Sequence, residues 1–273
     1  MPSPRLQAAL LSLIILFLGS GIWELSSART RAPSPDTSGL IANADQLARL
    51  PRPSEIAHFA WQQLKDPFYD HGPNDKGIGI QLAFSLGRVL MGYGLGLLVA
   101  LPLGFLIGMS PLLMAALDPF IQVLRPISPL AWMPLALFVI RDSAAASIFV
   151  IFVCSLWPTL LNTAFGVAHV NRDYLNVART LELSPLRTAF TVILPAAAPT
   201  ILIGMRISIG ISWLVIVAAE MLVGGTGIGY YVWNEWNNLD LNAVLFSILC
   251  IGVVGMLLDR LLSLAANRVT HDS

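Results

Sequence analysis

Residues 171–200, NRDYLNVARTLELSPLRTAFTVILPAAAPT, form a polar, arginine-rich stretch in a chain that is otherwise largely apolar. The residues directly before it, 143–170, contain no charged side chain apart from the ionisable His169, and another apolar run follows. A chain that avoids charge over long distances places Arg172, Arg179 and Arg187 close together here. The structure of this stretch and the surface that it contacts therefore bear on both fold and function.

The stretch predicts two short helices in sequence. One helix face carries residues at the i, i+3, i+4 and i+7 spacing, namely Tyr174, Val177, Ala178 and Leu181. Ser184-Pro185 has the pattern of an N-cap followed by proline at the first helical position. The first helix should end near Leu183, and the second should run from Pro185 into the next apolar run, with a kink favoured at Pro195. One interpretation is a solvated loop between two spans; the other is a helix that docks in a groove of another protein.

The composition is that of an integral membrane protein. Hydrophobic residues make up 56% of the 273 residues, and Asp, Glu, Lys and Arg only 12%, with a mean hydropathy of +0.72. Soluble globular domains carry about 25% charged residues, so a soluble chain of this composition could not cover its own surface. The net charge is zero, which argues against a nucleic-acid partner. Cys154 and Cys250 lie in apolar runs without the spacing of a zinc site or a disulfide framework.

Six apolar runs predict six membrane spans, each of which normally needs about 20 residues. The runs are Leu6–Leu25, Val89–Leu117, Pro126–Ile140, Ala144–Gly166, Val192–Leu222 and Leu241–Leu258. Pro102 and Pro111 predict that the second run bends or ends near Met109. The third run is short and rich in proline. A cleaved signal peptide is the alternative for the first run, but its apolar part is too long and no small-residue cleavage site follows, which favours a retained span.

Residues 26–80 form a polar region with six basic and six acidic side chains. The segment TRAPSPDTS at 30–38 has the composition of a linker. A short amphipathic helix, capped by Ser54 and running Glu55–Lys65, is predicted to follow and to lie at the membrane surface. Its face at helical spacing carries Ile56, Phe59, Ala60 and Gln63. We therefore expect an N-terminal region, 1–80, with the first span, the periplasmic linker and this helix, and a transmembrane core, 81–268.

Basic residues predict the orientation. With six spans, the loop at 171–191, the N-terminal Arg5 and the C-terminal Arg268 fall on one side, which should be cytoplasmic. Region 26–80 also carries basic residues, but it is long and net neutral, and long loops translocate largely regardless of charge. Both termini are therefore expected in the cytoplasm.

The polar stretch resembles a known motif. The run N-V-A-R-T-L-E-L-S, followed after seven residues by V-I-L-P-A-A-A-P, is similar to the "EAA" loop of permease subunits of ATP-binding-cassette (ABC) importers. In that family the loop forms the coupling helix, at about 173–190 here, which sits in a cleft of the ATPase. This sequence has Asn176 for the Glu of the pattern, Val177 for its first Ala, Glu182 for its Gly and Val192 for its Ile. The coupling residues that the resemblance implies are Tyr174, Asn176, Val177, Ala178, Arg179, Leu181, Glu182 and Ser184.

Three further stretches carry the same resemblance, which covers about residues 80–268. LRPISPLAWMPLALFVIRDSA (124–144) resembles the third span, and ISIGISWLVIVAAEMLVGG (207–225) the fifth span, of permeases for nitrate, bicarbonate, cyanate, sulfonates and taurine. FVIRDSA and GIGYYVWNEWNNL (227–239) are typical of the nitrate and bicarbonate members. The resemblance therefore implies transport of nitrate first, bicarbonate or cyanate second, and sulfonates third.

The resemblance also implies an architecture and partners. The fold expected is an all-α integral membrane protein of six transmembrane helices, the type I ABC importer permease fold, in the bacterial inner membrane. The partners expected are a second permease copy in a homodimer, two cytoplasmic ABC ATPase subunits, and a periplasmic or lipid-anchored substrate-binding protein. No cofactor or metal is expected on this chain; ATP and Mg²⁺ would be bound by the ATPases, since no G-x-x-x-x-G-K-[ST] motif occurs in the sequence.

Ionisable residues inside spans are costly and usually functional. The planar fork of arginine suits planar oxyanions such as nitrate or bicarbonate. The substrate-path candidates are Arg206, Arg125, Arg88, Ser85, Ser208 and Glu220. The structural alternatives are that Arg206 pairs with Glu220 or with carbonyls freed by Pro195, and that Arg88 and Arg125 reach an interface. GGTGIG at 224–229 lacks the spacing of a dinucleotide site and is interpreted as a flexible turn on the outer face.

Two other protein classes fit less well. An ion-driven secondary transporter tends to show internal repeats, and residues 1–140 and 141–273 do not repeat each other. A membrane-embedded enzyme needs a clustered catalytic set, whereas the four histidines at 58, 71, 169 and 271 are scattered along the sequence.

Overall fold

The computed structural model of the chain describes residues 4–29 and 50–271, so the predicted linker at 30–38 lies outside the described residues. The described chain is mainly helical, with one short hairpin and one π-helical turn. The helices are α1 Pro4–Arg29, α2 Pro53–Lys65, α3 Ile78–Met109, α4 Pro111–Leu124, α5 Pro129–Ile140, α6 Ser143–Ala168, α7 Arg172–Thr180, α8 Pro185–Thr188, α9 Leu194–Val223, α10 Ile228–Asn237 and α11 Leu241–His271. The hairpin strands are β1 Asp70–Gly72 and β2 Asp75–Lys76, and the π-helical turn is Ala189–Ile193.

α1 contains the first predicted span, and most of its apolar side chains are exposed. Its contact with α2 is polar: Ser54 donates its backbone N–H and its hydroxyl to the Glu24 carboxylate at 3.2 and 2.9 Å. A carboxylate is favourable at a helix N-terminus, where backbone donors lack intrahelical partners. The sequence predicted Ser54 as the N-cap of α2, and this is wrong by two residues. The N-cap is Arg52, whose backbone N–H donates to the Glu55 carboxylate at 3.0 Å.

The amphipathic helix α2 packs against the start of α11 rather than standing alone. Ile56 is buried, and the ring of Phe59 contacts Phe246 edge-on with centroids 5.8 Å apart. The following hairpin is closed by an ion pair between Lys76 and Asp70 at 3.2 Å. Since α3 begins at Ile78, the boundary predicted at residue 80 falls inside this helix.

The bundle is built around α3 and α6, which approach closely through glycine. An added Cβ on Gly92 would lie 2.7 Å from Cβ of Ile151, and one on Gly104 would lie 2.7 Å from Cβ of Thr163. Gly92 contacts Ile151, and the later Gly104 contacts the later Thr163, so α3 and α6 run parallel. Lipid tails are as apolar as leucine, so close backbone packing stabilises helix association in a membrane more than burial from water does.

α9 runs antiparallel to α6 and to α11. An added Cβ on Gly204 would contact Asn162 of α6, and the Trp213 indole donates to the Ile251 carbonyl of α11 at 2.9 Å. The main core lies where α3, α5, α6, α9, α10 and α11 meet. Its fully buried apolar members include Val89, Met133, Val150, Ile216 and Ile228.

The third predicted span is wrong as a single helix. The run at 126–140 contributes only α5, of 12 residues, which is too short to cross a bilayer. α5 pairs with α4, and the two helices meet at an angle of 89° across the break at 125–128. The second span ends at Met109 as predicted, but the residues that follow it belong to α4. Five described helical stretches are long and apolar enough to span, and the count reaches six when α4 and α5 form one broken span.

The sequence predicts a kink at Pro195, and the structure has a π-helical turn, Ala189–Ile193, just before this proline. The Leu194 N–H donates to the Ala189 carbonyl, five residues back, immediately before the proline that cannot donate. The prediction that the second helix continues into a span is confirmed, since Pro185–Val223 is one helical stretch of 39 residues. α7 and α8 precede the long helix α9 and α10 follows it, so they lie at opposite ends of the bundle. We call these the α7 end and the α10 end.

Candidate functional site

The polar stretch folds as two short helices, α7 and α8, each capped by its own side chains. Asn171 accepts from the Asp173 N–H at 2.9 Å at the start of α7. Ser184 accepts from the Arg187 N–H at 3.4 Å at the start of α8, with Pro185 at the first helical position, as predicted. The two helices therefore have fixed boundaries that their sequence encodes locally.

The link between them is a Schellman C-cap. The Leu183 N–H donates to the Ala178 carbonyl at 3.1 Å and the Glu182 N–H donates to Arg179 at 3.0 Å, the two hydrogen bonds of this motif. α7 ends at Thr180, and its cap extends to Leu183. Glu182 is left-handed, with φ of +51°, where glycine is favoured. It stands at the glycine position of the coupling-loop pattern, so the backbone conformation explains that glycine.

The predicted apolar face of α7 is divided. Ala178 is only 2% exposed and packs inward, whereas Tyr174, Val177 and Leu181 are 57%, 58% and 65% exposed. Leu175 is half-buried and packs against the cluster of α6, α9 and the π-helical turn. The prediction that all four face residues point toward a partner is therefore wrong for Ala178, which anchors α7 to its own chain.

The exposed apolar surface extends beyond α7. Leu186 and Phe190 are 74% and 67% exposed on α8 and the π-helical turn. Asn176, Arg179, Glu182 and Ser184 are also exposed around it. Clefts of about 520 and 350 Å³ flank α7, the first against the ends of α3 and α6, the second against the start of α9. Exposed apolar side chains close in sequence to arginines have the character of a protein-binding surface.

At the α10 end, three of the path candidates meet in one buried cluster. The Glu220 carboxylate of α9 is 1% exposed and accepts from Arg88 of α3 at 2.7 Å and from the Ser85 hydroxyl at 2.8 Å. It also accepts from the Gly229 N–H at 3.0 Å. The cluster joins α3, α9 and the start of α10. Because Ser85 and Glu220 are buried in it, neither side chain lines an open path.

The same cluster holds the turn at 224–229. Arg88 also donates to the Thr226 carbonyl at 2.8 Å, and Gln81 accepts from the Gly227 N–H at 2.7 Å. A side chain at Gly227 would overlap the Glu220 carboxylate. The turn predicted to be flexible is therefore fastened to α3, and we call residues Gln81, Ser85, Arg88, Glu220 and 224–229 the α10-end latch.

Arg206 has a different partner from the one predicted. Its guanidinium donates two hydrogen bonds to the Asp259 carboxylate of α11, one from Nε and one from NH2 at 2.6 Å. Both side chains are about half exposed. The predicted alternative partner, Glu220, is occupied by Arg88 instead. Asp259 directly follows the predicted last span, which stops at Leu258, so the search for ionisable residues inside spans did not include it.

Ser208 lies in a helix contact rather than on an open surface. It is fully buried, and its hydroxyl lies 2.7 Å from that of Thr159 and donates to the Ser155 carbonyl of α6 at 2.6 Å. These bonds join α6 to α9 at a point where their backbones pack closely. The hydroxyl has no free face for a passing substrate.

Arg125 is placed apart from the other candidates, in a cleft of about 680 Å³. The cleft is bounded by α4, the break before α5, α6 and α9, and its walls are mainly apolar. Asp118, Trp157, Asn162, Ile207 and Ile211 are among its lining residues. Of the six path candidates, only Arg125 lines this cleft.

Comparisons with known proteins agree with this arrangement. A family model described as "Binding-protein-dependent transport system inner membrane component" matches residues 92–271. The nitrate import permease protein NrtB of Leptolyngbya laminosa is 47% identical over 221 residues, 81% of this chain and 79% of that protein. The bicarbonate transport system permease protein CmpB of Synechocystis sp. is 43% identical over 228 residues, 81% of this chain and 80% of that protein.

A solved structure of the MetNI methionine ABC transporter, in an inward-facing conformation, has the same fold. Its TM-score is 0.61 at 16% identity, covering 69% of this chain and 94% of the matched chain. At this identity the likeness speaks only for the fold. The predicted type I ABC importer permease fold is confirmed, with five or six candidate spans among the described residues.

Proposed function

Since this chain belongs to the family of inner membrane components of binding-protein-dependent transport systems, we propose that it carries a small planar anion, nitrate before bicarbonate, across the inner membrane. Members of the family are the membrane permeases of ABC importers, and separate ATPase subunits hydrolyse the ATP. The relatives named for nitrate are 47%, 44% and 38% identical to this chain, and those named for bicarbonate 43% and 41%. The two highest of these identities belong to nitrate permeases, which supports nitrate as the first substrate, with bicarbonate second and cyanate or a sulfonate after them.

The observation that carries the coupling role is the exposed apolar face of α7. Tyr174, Val177 and Leu181 stay exposed although Ala178 and Leu175 anchor the same helix to the bundle. A helix held rigidly by one face and offering aromatic and aliphatic side chains on another fits a groove in a partner. The partner proposed is the ABC ATPase, and the flanking residues Asn176, Arg179, Glu182 and Ser184 form the rim of the contact.

The proposed assembly contains two permease copies, two ATPases and a periplasmic or lipid-anchored substrate-binding protein. The α7 end, with Arg172, Arg179 and Arg187, would face the cytoplasm, in keeping with the excess of basic residues in cytoplasmic loops. ATP and Mg²⁺ would bind in the ATPases. Closure of the ATPases would then move α7 and α8, and with them α9, since Pro185–Val223 is one helical stretch.

The substrate path proposed here uses fewer residues than the sequence predicts. Arg125 lines an open cleft, and Arg206 is half exposed on α9, the helix that supplies Ile207 and Ile211 to the cleft. Ser85, Arg88, Glu220 and Ser208 are bound in internal contacts. Their proposed role is to hold the helices that form the path.

The test is the ATPase activity of the purified permease–ATPase complex in lipid, with a cognate binding protein loaded with nitrate, bicarbonate or taurine. Stimulation by the nitrate-loaded protein, and weaker or no stimulation by the others, is the expected result. Stimulation by taurine alone would contradict the anion class. A permease that never associates with an ATPase would contradict the coupling role.

A further inference from the structure

The break between α4 and α5 exposes irregular backbone at membrane depth. α4 has 14 residues, so at about 1.5 Å per residue its far end lies roughly 21 Å from the α7 end, inside a hydrocarbon core about 30 Å thick. Arg125, Pro126, Ile127 and Ser128 at the break are exposed in the described chain. Non-helical backbone at this depth is tolerated only where it is buried in protein or lines a water-filled cavity. Exposed in one copy, the break fits the wall of a hydrated passage.

The charge at the break is not neutralised by described residues. Arg88 is bound to Glu220, and Arg206 to Asp259. The Arg125 guanidinium has no hydrogen bond or ion pair with any residue that the structure describes. Arg260 is likewise unpaired among the described residues, but it is exposed on α11 and is not among the residues that line the cleft of Arg125.

The cleft around Arg125 concentrates this charge. Arg125 is the one cation among its lining residues within the described chain. Asp118, its one carboxylate, lies seven residues before Arg125, about 10 Å along the helix; among the described residues it forms no ion pair with Arg125, and it accepts from Gln122 at 2.6 Å. The remaining walls are largely apolar, with Trp157, Leu161 and Ile211 among them. Low-dielectric walls strengthen the field of Arg125 on the side away from Asp118, which favours a small anion at the guanidinium.

We propose that Arg125 is the anion-selecting residue of the path, and that it contacts the planar oxyanion at the break between α4 and α5. Its guanidinium offers parallel N–H donors that match two oxygens of nitrate or bicarbonate. Arg206 does not perform this role, because Asp259 occupies its fork. A single contact in a cleft far larger than the ion allows release, which passage requires. This inference rests on the proposed function and narrows its path to one side chain.

The test is nitrate uptake by the full complex in proteoliposomes with its binding protein. Arg125→Gln should lower uptake about tenfold or more, equivalent to about 1.4 kcal/mol, and Arg125→Lys should restore part of it because the charge returns without the fork. Arg260→Gln, an equal charge change outside the cleft, should transport as the parent does. Arg125→Gln at parental rate would overturn the inference while leaving nitrate import intact. A parent complex that moves neither nitrate nor bicarbonate would overturn the proposed function instead.

A second measurement tests the position of Arg125 without transport. In a chain with Cys154→Ala and Cys250→Ala, Arg125→Cys should react quickly with a membrane-impermeant anionic thiol reagent. Leu98→Cys, an exposed α3 position outside the cleft residues, is the control and should react at least about tenfold more slowly, since thiolates form poorly in lipid. Equal, slow reaction at both positions would place Arg125 in lipid and overturn the inference.

Discussion

The two ends of the bundle differ in whether their polar residues are bonded within the chain or exposed. At the α10 end, Glu220 and Arg88 are bound to each other and to the backbone of the 224–229 turn. At the α7 end, α7 and α8 have internal caps, but their arginines and the side chains of Tyr174, Val177, Leu181 and Leu186 are exposed. Buried polar groups require partners. The first end finds them within the chain, whereas the second leaves a surface for another protein.

This difference separates charged residues that stabilise the fold from charged residues that are available to a partner or substrate. An ionisable residue in a span suggests function, yet the latch shows that several can satisfy one another across distant helices. The chain's own contacts are incomplete at the exposed residues of α7 and at Arg125 in its cleft. The backbone is strained at Glu182, which is left-handed.

The largest stability effect is expected from Arg88→Met. Removing the guanidinium leaves the Glu220 carboxylate buried without its cation, which costs about 3–5 kcal/mol. Thermal unfolding of the detergent-solubilised permease, followed by size-exclusion chromatography, measures the loss. Arg260→Met is the matched control and should change little, and adding Glu220→Gln to Arg88→Met should recover part of the loss. Equal stability of Arg88→Met and the parent would contradict the latch.

Leu181→Asp should have the next largest effect, on association rather than on folding. A carboxylate on the exposed apolar face of α7 would enter the partner's groove, and loss of an interface anchor costs about 2 kcal/mol or more. Affinity of the permease for its ATPase should fall at least about tenfold in a pull-down titration, with the melting temperature of the permease alone unchanged. The matched surface control is Leu112→Asp on α4, which is also exposed. If both variants bind ATPase equally well, α7 is not the docking helix.

Gly227→Ala should destabilise the α10 end by about 1–3 kcal/mol, the usual cost of overpacking. Its new methyl group would overlap the Glu220 carboxylate and separate it from its donors. Gly210→Ala in α9 is the control, because nothing lies within 4 Å of a Cβ there. Hydrogen exchange across residues 224–231 should accelerate in the first variant only. Protection that persists there would show that the turn does not depend on the latch.

The smallest effect is expected from Glu182→Gly, which removes the strain of a left-handed residue at the cap of α7. A gain of up to about 1 kcal/mol in local stability follows from the φ of +51°. Amide exchange over 172–184 should slow by a few fold, whereas Glu182→Ala, which keeps Cβ, should give no gain. Slowing of equal size in both variants would assign the effect to charge instead of conformation.

Local sequence patterns predicted the elements of the α7 end well. Ser184-Pro185 marks the start of α8, because a cap and a first-turn proline act within one turn of chain. The face of α7 was less predictable. Periodicity shows which residues lie together, but the packing of Ala178 against distant helices decides which part of the face is hidden.

Long-range pairings could not be predicted from one sequence. Arg88 and Glu220 are separated by 132 positions and Arg206 and Asp259 by 53, so no spacing rule connects them. The break before α5 was hidden for another reason. Pro126, Pro129 and Pro134 all suggest irregularity, yet Pro129 begins α5 and Pro134 lies inside it. Only the packing against α3 and α6 shows where the helix is interrupted.

The most direct test of the two-ended account is uptake of labelled nitrate by proteoliposomes that contain the full permease–ATPase complex. ATP is supplied on the side of the α7 end, and nitrate-loaded binding protein on the side of the α10 end. The account predicts uptake only when both are present on those sides, and none when ATP and binding protein exchange sides. Uptake that persists without the ATPase, or with the two sides exchanged, would contradict it.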